Sequence, residues 1–169
     1  MSKKELKTNA MRILDRMKIA YKYEEYECKD FTDGVQVADR LGYKHECVYK
    51  TLVAVGRSGM HYVFVIPVEA EISFKKAAKV VGEKSLQMLP LKDLTKVTGY
   101  VRGGCTAIGM KKPFPTVIQE DARYLPQMHV SGGKLGMQLT LAPEDLKRAS
   151  GASFADVISH CRAGENTVR

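Results

Sequence analysis

Two apolar, β-branched segments joined by a glycine-containing turn constrain the fold most strongly. Residues 48–55 read Val-Tyr-Lys-Thr-Leu-Val-Ala-Val and residues 61–66 read His-Tyr-Val-Phe-Val-Ile, with Gly-Arg-Ser-Gly at 56–59. Such segments favour β-strands, and a strand that is apolar on both faces is typically covered on both faces. We therefore predict a β-hairpin whose first strand is fully buried.

The other segments predict helices and strands that do not alternate as regular βαβ units. Helical patterns cover residues 3–18, 34–41, 73–81, 90–99 and the stretch after Pro143, and short strands are expected at 23–28, 116–119, 128–130 and 137–141. The length of 169 residues corresponds to one domain. We predict one α+β domain over residues 1–169, with a curved mixed or antiparallel sheet.

Composition and absent motifs narrow the class of protein. The sequence has no apolar run near the ~20 residues of a membrane span, no apolar signal segment at its start, and no Cys-x-x-Cys pair among its four cysteines. It also lacks the Walker, dinucleotide-binding, Gly-x-Ser-x-Gly and His-Glu-x-x-His motifs. These features favour a cytoplasmic protein with reduced thiols and no cofactor.

Positive charge is concentrated in the middle of the chain. The net charge is +8, and residues 51–115 carry 10 basic and 4 acidic groups. A region of this kind attracts a polyanion such as a nucleic acid. A solvated helix face with surplus lysine explains the charge equally well, so charge alone assigns no function.

Lys50 is the unusual residue of the predicted hairpin. Side chains two apart on a strand share a face, which places Lys50 beside Val48, Leu52 and Ala54. Burying an unpaired ammonium group is costly, so this lysine pairs with a ligand or extends to water at the strand end. Position alone leaves both possibilities open.

Two glycine-rich segments are further candidates. Gly103 and Gly104 can bring backbone N–H groups close to a ligand oxygen, where they would stabilise an oxyanion. Residues 131–133, Ser-Gly-Gly, form a similar element, although a hairpin turn is the commoner use of such a sequence. Cys105 is interpreted as a small packing residue rather than a nucleophile. His45-Glu46-Cys47 lacks the usual spacing of zinc ligands, so no metal site is predicted.

The ordered set of these segments resembles the YbaK/EbsC family of aminoacyl-tRNA deacylases, which is related to the editing domain inserted in some prolyl-tRNA synthetases. The resemblance covers residues 18–158 and lies closest to the branch that acts on Cys-tRNA(Pro). The segments that carry it are Tyr49-Lys50-Thr51-Leu52, Lys75-Lys76-Ala77-Ala78-Lys79, Thr98-Gly99-Tyr100-Val101-Arg102-Gly103-Gly104, Gly109-Met110-Lys111-Lys112 and Val130-Ser131-Gly132-Gly133-Lys134.

The resemblance implies a compact domain around a strongly curved, mixed, barrel-like sheet flanked by helices. It implies an ester hydrolase that acts in trans on Cys-tRNA(Pro), with the substrate's own thiol attacking the ester carbonyl. Mischarged tRNA is then the substrate, and prolyl-tRNA synthetase is the partner that this substrate suggests. Two alternatives stay open: a deacylase of another mischarged tRNA such as Ala-tRNA(Pro), and a tRNA-binding module of the same fold without catalysis.

The resemblance also implies roles for individual residues. Lys50 and Gly103 correspond to the family's catalytic positions. The residues implied to bind substrate are Tyr26, Thr51, Gly104, Ser131 and Gly132, and those implied to bind tRNA phosphates are Arg102, Lys111 and Lys112. The terminal adenine is expected to stack on Tyr26 or Tyr100.

Two features depart from the family pattern. Thr106-Ala107 stands where the family often has Ser-Pro, which predicts a looser loop. The segment between Tyr26 and Gly34 is shorter than in some members, and Phe31 is the candidate there for an aromatic residue of the family.

Overall fold

Five α-helices and eight β-strands alternate irregularly in the computed structural model, which describes residues 7–29 and 32–160. The helices are α1 (Asn9–Arg16), α2 (Gly34–Leu41), α3 (Phe74–Val81), α4 (Leu94–Thr98) and α5 (Pro143–Ser150). The strands are β1 (Lys22–Glu25), β2 (Tyr49–Gly56), β3 (His61–Pro67), β4 (Leu86–Met88), β5 (Thr116–Gln119), β6 (Met128–Ser131), β7 (Met137–Leu141) and β8 (Ser153–Ala155). Single-turn 3₁₀ helices lie at His45–Cys47, Leu91–Asp93 and Glu120–Tyr124. The longest helices in the described ranges have eight residues, and none could cross a membrane.

The predicted hairpin forms the centre of a five-stranded sheet with the order β4-β2-β3-β5-β8. β2 pairs with β3 and β4 in the antiparallel direction, whereas β5 pairs with β3 and β8 in the parallel direction. A separate antiparallel sheet has the order β1-β7-β6. The α+β class and the mixed sheet are therefore confirmed.

The expected barrel-like closure is wrong. Within the described part of the chain the strands form two open sheets, with β4 and β8 at the edges of one and β1 and β6 at the edges of the other. An isolated parallel bridge between Val48 and His129 joins the two sheets. The four-residue β1 and β6 and the three-residue β4 and β8 are too short to extend the ladder into a closed cylinder.

Packed layers cover both faces of the hairpin, as the sequence predicts. Val63 and Val65 of β3 pack in the larger core together with α1 and the three-stranded sheet. Tyr62, Phe64 and Ile66 point to the opposite face and pack against α3 and the C-terminal segment. This alternation follows from the two-residue period of a strand. β3 is almost entirely buried, whereas four of the eight residues of β2, including Lys50, are only partly buried, so the predicted full burial of the first strand is wrong.

Local signals set the helix boundaries. Thr8, Asp33 and Ser73 cap α1, α2 and α3, and each side chain accepts a backbone N–H from the first turn of its helix. Gly42 and Gly82 end α2 and α3 in the left-handed conformation, as predicted. The predicted helix over 90–99 is instead a 3₁₀ turn followed by the short α4, which ends at Gly99.

Asp156 fixes the C-terminal segment to the rest of the fold. Its carboxylate accepts hydrogen bonds from Lys76 Nζ at 3.0 Å, Gln119 Nε2 at 3.0 Å and His160 Nε2 at 2.8 Å. Desolvation raises the pKa of Asp156, but the hydrogen bonds from these three side chains outweigh it and hold the pKa well below its usual value. The ionised carboxylate therefore connects α3, β5 and the C-terminal segment.

We predict that Asp156→Asn lowers the free energy of unfolding at pH 7 by about 1–2 kcal/mol. A carboxyl with a lowered folded pKa stabilises above its unfolded pKa, and that stability is lost as the pH falls below it through the folded pKa. Denaturant unfolding between pH 7 and pH 3 should therefore show a shallower acid limb for the variant. Asp93→Asn is the matched control, because Asp93 forms a single 3.7 Å ion pair with the exposed Lys96. This variant should change the free energy of unfolding by less than about 0.5 kcal/mol.

Candidate functional site

A cavity of about 610 Å³ lies between the two sheets, at the point where the isolated bridge joins them. Residues 48–53 of the β2 region form one wall. Members of three other segments complete it: Gly34, Val35 and Val37 of α2; Met88, Leu89, Leu91 and Leu94; and Arg102, Gly103 and Cys105 of a loop. The three-stranded sheet and the segment after β1 supply Tyr26, Ser131 and Gln138. Elements distant in sequence therefore meet at one concave surface, which is the usual form of a small-molecule site.

Lys50 lines this cavity and is half-buried. It pairs with Ile66 across the hairpin, so its backbone position is fixed. Within the described residues its ammonium group has no hydrogen-bond or ion-pair partner. Desolvation lowers the pKa of Lys50, while the charges of Glu71 and Asp33 oppose that shift. The cation is thus held in the cavity wall without a neutralising contact.

The two loop glycines have different roles. Gly103 lines the cavity and has a φ of 85°, a conformation that favours glycine. Its N–H has no acceptor among the described residues. The N–H of Gly104, in contrast, donates to Val101 O at 2.9 Å, and a Cβ at this position would lie 2.8 Å from Lys134 Cα. Gly104 is therefore a packing residue, and only Gly103 of this pair has a backbone donor available to a ligand.

Ser131 connects the loop to the three-stranded sheet. Its Oγ donates to Gly103 O at 3.2 Å, which fixes the orientation of that peptide relative to β6. The next residue, Gly132, does not line the cavity. Its N–H donates to Met137 O at 2.8 Å and closes the β6–β7 hairpin, and a Cβ would lie 2.3 Å from Met137 Cγ. The hairpin interpretation of residues 131–133 is thus confirmed, with Ser131 alone reaching the cavity.

Two of the three residues expected to contact the substrate through a ring or a hydroxyl group line the cavity, and the third lies in the core. Tyr26 and Thr51 line the cavity. Arg40 lies 5.8 Å from the Tyr26 ring centroid, and burial raises the Tyr26 pKa. Tyr100 is only 7% exposed, and its hydroxyl donates to Ile108 O at 2.5 Å. Because Tyr100 belongs to the core, Tyr26 is the ring available for stacking.

Cys105 lines the cavity although it is only 8% exposed. Burial raises the pKa of its thiol to about 12, against a smaller opposite effect of a hydrogen bond from Thr98. The thiol is therefore uncharged at neutral pH and is a poor nucleophile. This agrees with its interpretation as a packing residue.

The predicted phosphate-binding residues lie on one loop but at different depths. Arg102 is exposed and lines the cavity, whereas Lys111 and Lys112 are exposed outside it. The Nζ of Lys111 donates to Lys96 O at 3.1 Å, which holds its side chain against α4. Lys76, also part of the basic region, is bound to Asp156 and is not available as a free cation.

Several cavity residues were not predicted from the sequence, among them Gln138 and Asp33. Gln138 lies on β7 between Met137 and Leu139, where an alternating strand pattern suggests a solvated face, yet it is only 6% exposed. Asp33 lines the cavity and also caps α2, accepting Gln36 N–H at 2.9 Å. Gln138 belongs to no recognisable motif, so tertiary placement alone reveals it. Asp33 has a local signal, since an Asp directly before a helix is a usual capping residue.

The Thr106-Ala107 segment, where the family often has Ser-Pro, is well packed. Thr106 and Ala107 are buried, and Thr106 Oγ1 accepts the N–H of Ile108 at 3.5 Å, so both residues are packed in the core.

His45 bonds to the carboxylates of Glu69 at 2.7 Å and Asp39 at 2.6 Å. Phe31 lies outside the described residues. Within the described ranges, no group of three or more His, Cys, Asp or Glu side chains could hold a metal ion.

Known proteins and solved structures are similar to this chain over most of its length. A protein assigned as the Cys-tRNA(Pro)/Cys-tRNA(Cys) deacylase EbsC of Enterococcus faecalis is 45% identical over 156 residues, which span 92% of this chain and 95% of the relative. A solved structure assigned as a trans-editing enzyme for prolyl tRNA synthetase has a TM-score of 0.78 at 24% identity, covering 92% of this chain and 99% of the other.

A scaffold protein from work on epitope backbone grafting has a TM-score of 0.79 at 25% identity, covering 91% of this chain and 99% of the other. These structural similarities establish the fold. The family model for the aminoacyl-tRNA editing domain matches residues 29–149, a range that includes Lys50, Gly103 and Ser131. The chain belongs to the aminoacyl-tRNA editing domain family.

Proposed function

We propose that this protein hydrolyses the ester bond of mischarged Cys-tRNA(Pro) in trans, with residues 1–169 acting as one editing domain. The observation that carries this proposal is the meeting of Lys50, Gly103 and Ser131 in one cavity. The EbsC relative, which is assigned as a deacylase of cysteinyl-tRNAs, supports this choice of substrate. Prolyl-tRNA synthetase is the enzyme that would release such a substrate.

Lys50 and Gly103 supply complementary functions in this proposal. The half-buried ammonium of Lys50 binds the electron-rich aminoacyl-adenosine end, which would replace the water that burial has removed from it. The N–H of Gly103 donates to the ester carbonyl oxygen as negative charge develops there. Ser131 holds the following Gly103–Gly104 peptide through the Gly103 carbonyl. An activated ester needs little more than such positioning and electrostatic stabilisation.

The substrate provides the nucleophile. The cysteinyl sulfur attacks its own ester carbonyl, a C–S bond forms, the C–O bond to the ribose breaks, and the ribose oxygen takes the thiol proton. The four-membered thiolactone released then reacts with water to give cysteine. The uncharged state of Cys105, with a pKa of about 12, is consistent with a substrate thiol rather than a protein thiol in this role.

Arg102, Lys111 and Lys112 bind the acceptor stem. All three lie on the segment from residue 102 to residue 112 that also carries Gly103, and Arg102 lines the cavity. A nucleotide in the cavity therefore directs its neighbouring phosphates towards this segment. These side chains are exposed and can reach tRNA phosphates. Their binding to the phosphates releases counterions from the RNA. The terminal adenine stacks on Tyr26, which adds about 1–3 kcal/mol of binding energy.

We predict that Lys50→Ala lowers kcat/KM for Cys-tRNA(Pro) by at least about a hundredfold, because the cavity loses its buried cation. Thermal unfolding should show that the fold survives, since the ammonium contributes no ion pair within the described residues. Lys22→Ala, on the exposed face of β1, is the matched control and should retain activity. Full activity of the Lys50 variant would remove this residue from the mechanism.

Cys105→Ala should retain kcat/KM within about threefold, because an uncharged protein thiol makes no bond to the substrate. Its melting temperature should fall modestly, since a buried sulfur is lost from the cavity wall. A loss of activity as large as that of the Lys50 variant would instead assign the nucleophile to the protein.

The Lys111→Ala/Lys112→Ala double variant should bind tRNA with a weaker salt dependence. Each lost phosphate contact reduces the slope of log K against log salt concentration by roughly 1, so a decrease of about 2 is expected. Filter binding or fluorescence anisotropy between low and moderate salt measures this slope. An unchanged slope would show that the acceptor stem lies elsewhere.

A further inference from the structure

Gln138 carries an unpaired buried oxygen in the wall of the cavity. Its side chain lines the cavity, and its Oε1 is buried without a hydrogen-bond partner. No other side-chain nitrogen or oxygen in the described residues is in this state. Unpaired buried acceptors destabilise a fold and are rare, so each one calls for a functional explanation.

Tyr26 is the cavity residue that the Gln138 side chain influences most directly. Burial raises the pKa of Tyr26, and the neighbouring Gln138 amide opposes that shift. The Gln138 oxygen has no partner. The terminal amide torsion of glutamine has a broad energy profile, so a small rotation suffices to turn the oxygen towards a bound ligand.

Gln138 is also fixed relative to the proposed ester-binding group. It pairs with Ser131 in the β6–β7 register, and Ser131 donates to the Gly103 carbonyl. The unpaired acceptor of Gln138 and the available N–H of Gly103 are thus connected through one cross-strand pair. Such an arrangement suits a ligand that presents a hydrogen-bond donor and an acceptor a few bonds apart.

We propose that Gln138 Oε1 accepts a hydrogen bond from the ribose hydroxyl next to the ester of the bound aminoacyl-adenosine. The cavity wall already carries the cations Lys50 and Arg102, and a neutral amide oxygen cannot compensate a further buried positive charge. An uncharged donor is therefore the better partner than the α-ammonium group. The adjacent hydroxyl is the uncharged donor closest to the ester oxygen. This inference rests on the proposed function.

The test measures kcat/KM of the wild type and Gln138→Met with two substrates. One is Cys-tRNA(Pro), and the other is the same ester on a tRNA whose terminal ribose lacks the adjacent hydroxyl. Removing this hydroxyl also changes the reactivity of the ester, so wild type and variant are compared within each substrate. We expect the variant to be roughly tenfold slower on the first substrate and unchanged on the second. Equal losses on both substrates would overturn the inference.

Stability supplies a second readout that a structural role would not produce. Replacing an amide whose buried oxygen is unpaired by an apolar side chain of similar shape should leave the melting temperature unchanged or raise it. A clear decrease would show that the oxygen is already satisfied and would overturn the inference. Gln87→Met, at an exposed glutamine of β4, is the control and should affect neither substrate.

The two proposals fail in distinguishable ways. A wild-type protein that does not hydrolyse Cys-tRNA(Pro) contradicts the proposed function and this inference together. An active wild type whose Gln138 variant loses equal activity on both substrates contradicts the inference alone.

Discussion

The pairing of β2 with β3 is the constraint on which the rest of the structure depends. Seven residue pairs hold the two strands in register, and packed layers lie on both faces of the hairpin. A one-residue slip would exchange the two faces of β2 and move Lys50 away from its present side. The same pairing that builds the core therefore places a charged group in the cavity wall.

The cavity retains polar groups that the fold leaves unsatisfied. Lys50 has no counterion within the described residues, Gly103 has an unused N–H there, and Gln138 has an unpaired oxygen. Among the described side chains only the Gln138 oxygen is both buried and unpaired, so it destabilises the free protein until a ligand supplies its partner. Lys50 and Gly103 are partly buried and can exchange water for a ligand. Ser131, by contrast, is satisfied and holds the Gly103 carbonyl. The protein thus gives up stability at Gln138, in the wall of the cavity where the proposed substrate binds.

The sequence predicted the secondary structure well wherever local chemistry determines it. The capping residue Ser73 and the stops at Gly42 and Gly82 are local signals, and the helices they bound are confirmed. The short β4 and β8 were missed because three-residue strands are defined by their partners rather than by their own pattern. Sheet closure was predicted from the resemblance and is wrong for the same reason: it depends on strand lengths and contacts that no motif encodes. The candidate site could be predicted only in part, because nothing in the sequence shows that Gln138 is buried.

The most direct test of the central claim is deacylation by the purified wild-type protein of tRNA(Pro) charged separately with cysteine, alanine and proline. Rapid release of cysteine, with alanyl and prolyl esters hydrolysed much more slowly, is the predicted result. Preferential release of alanine would assign a different substrate, and tRNA binding without hydrolysis of any ester would contradict the enzymatic role.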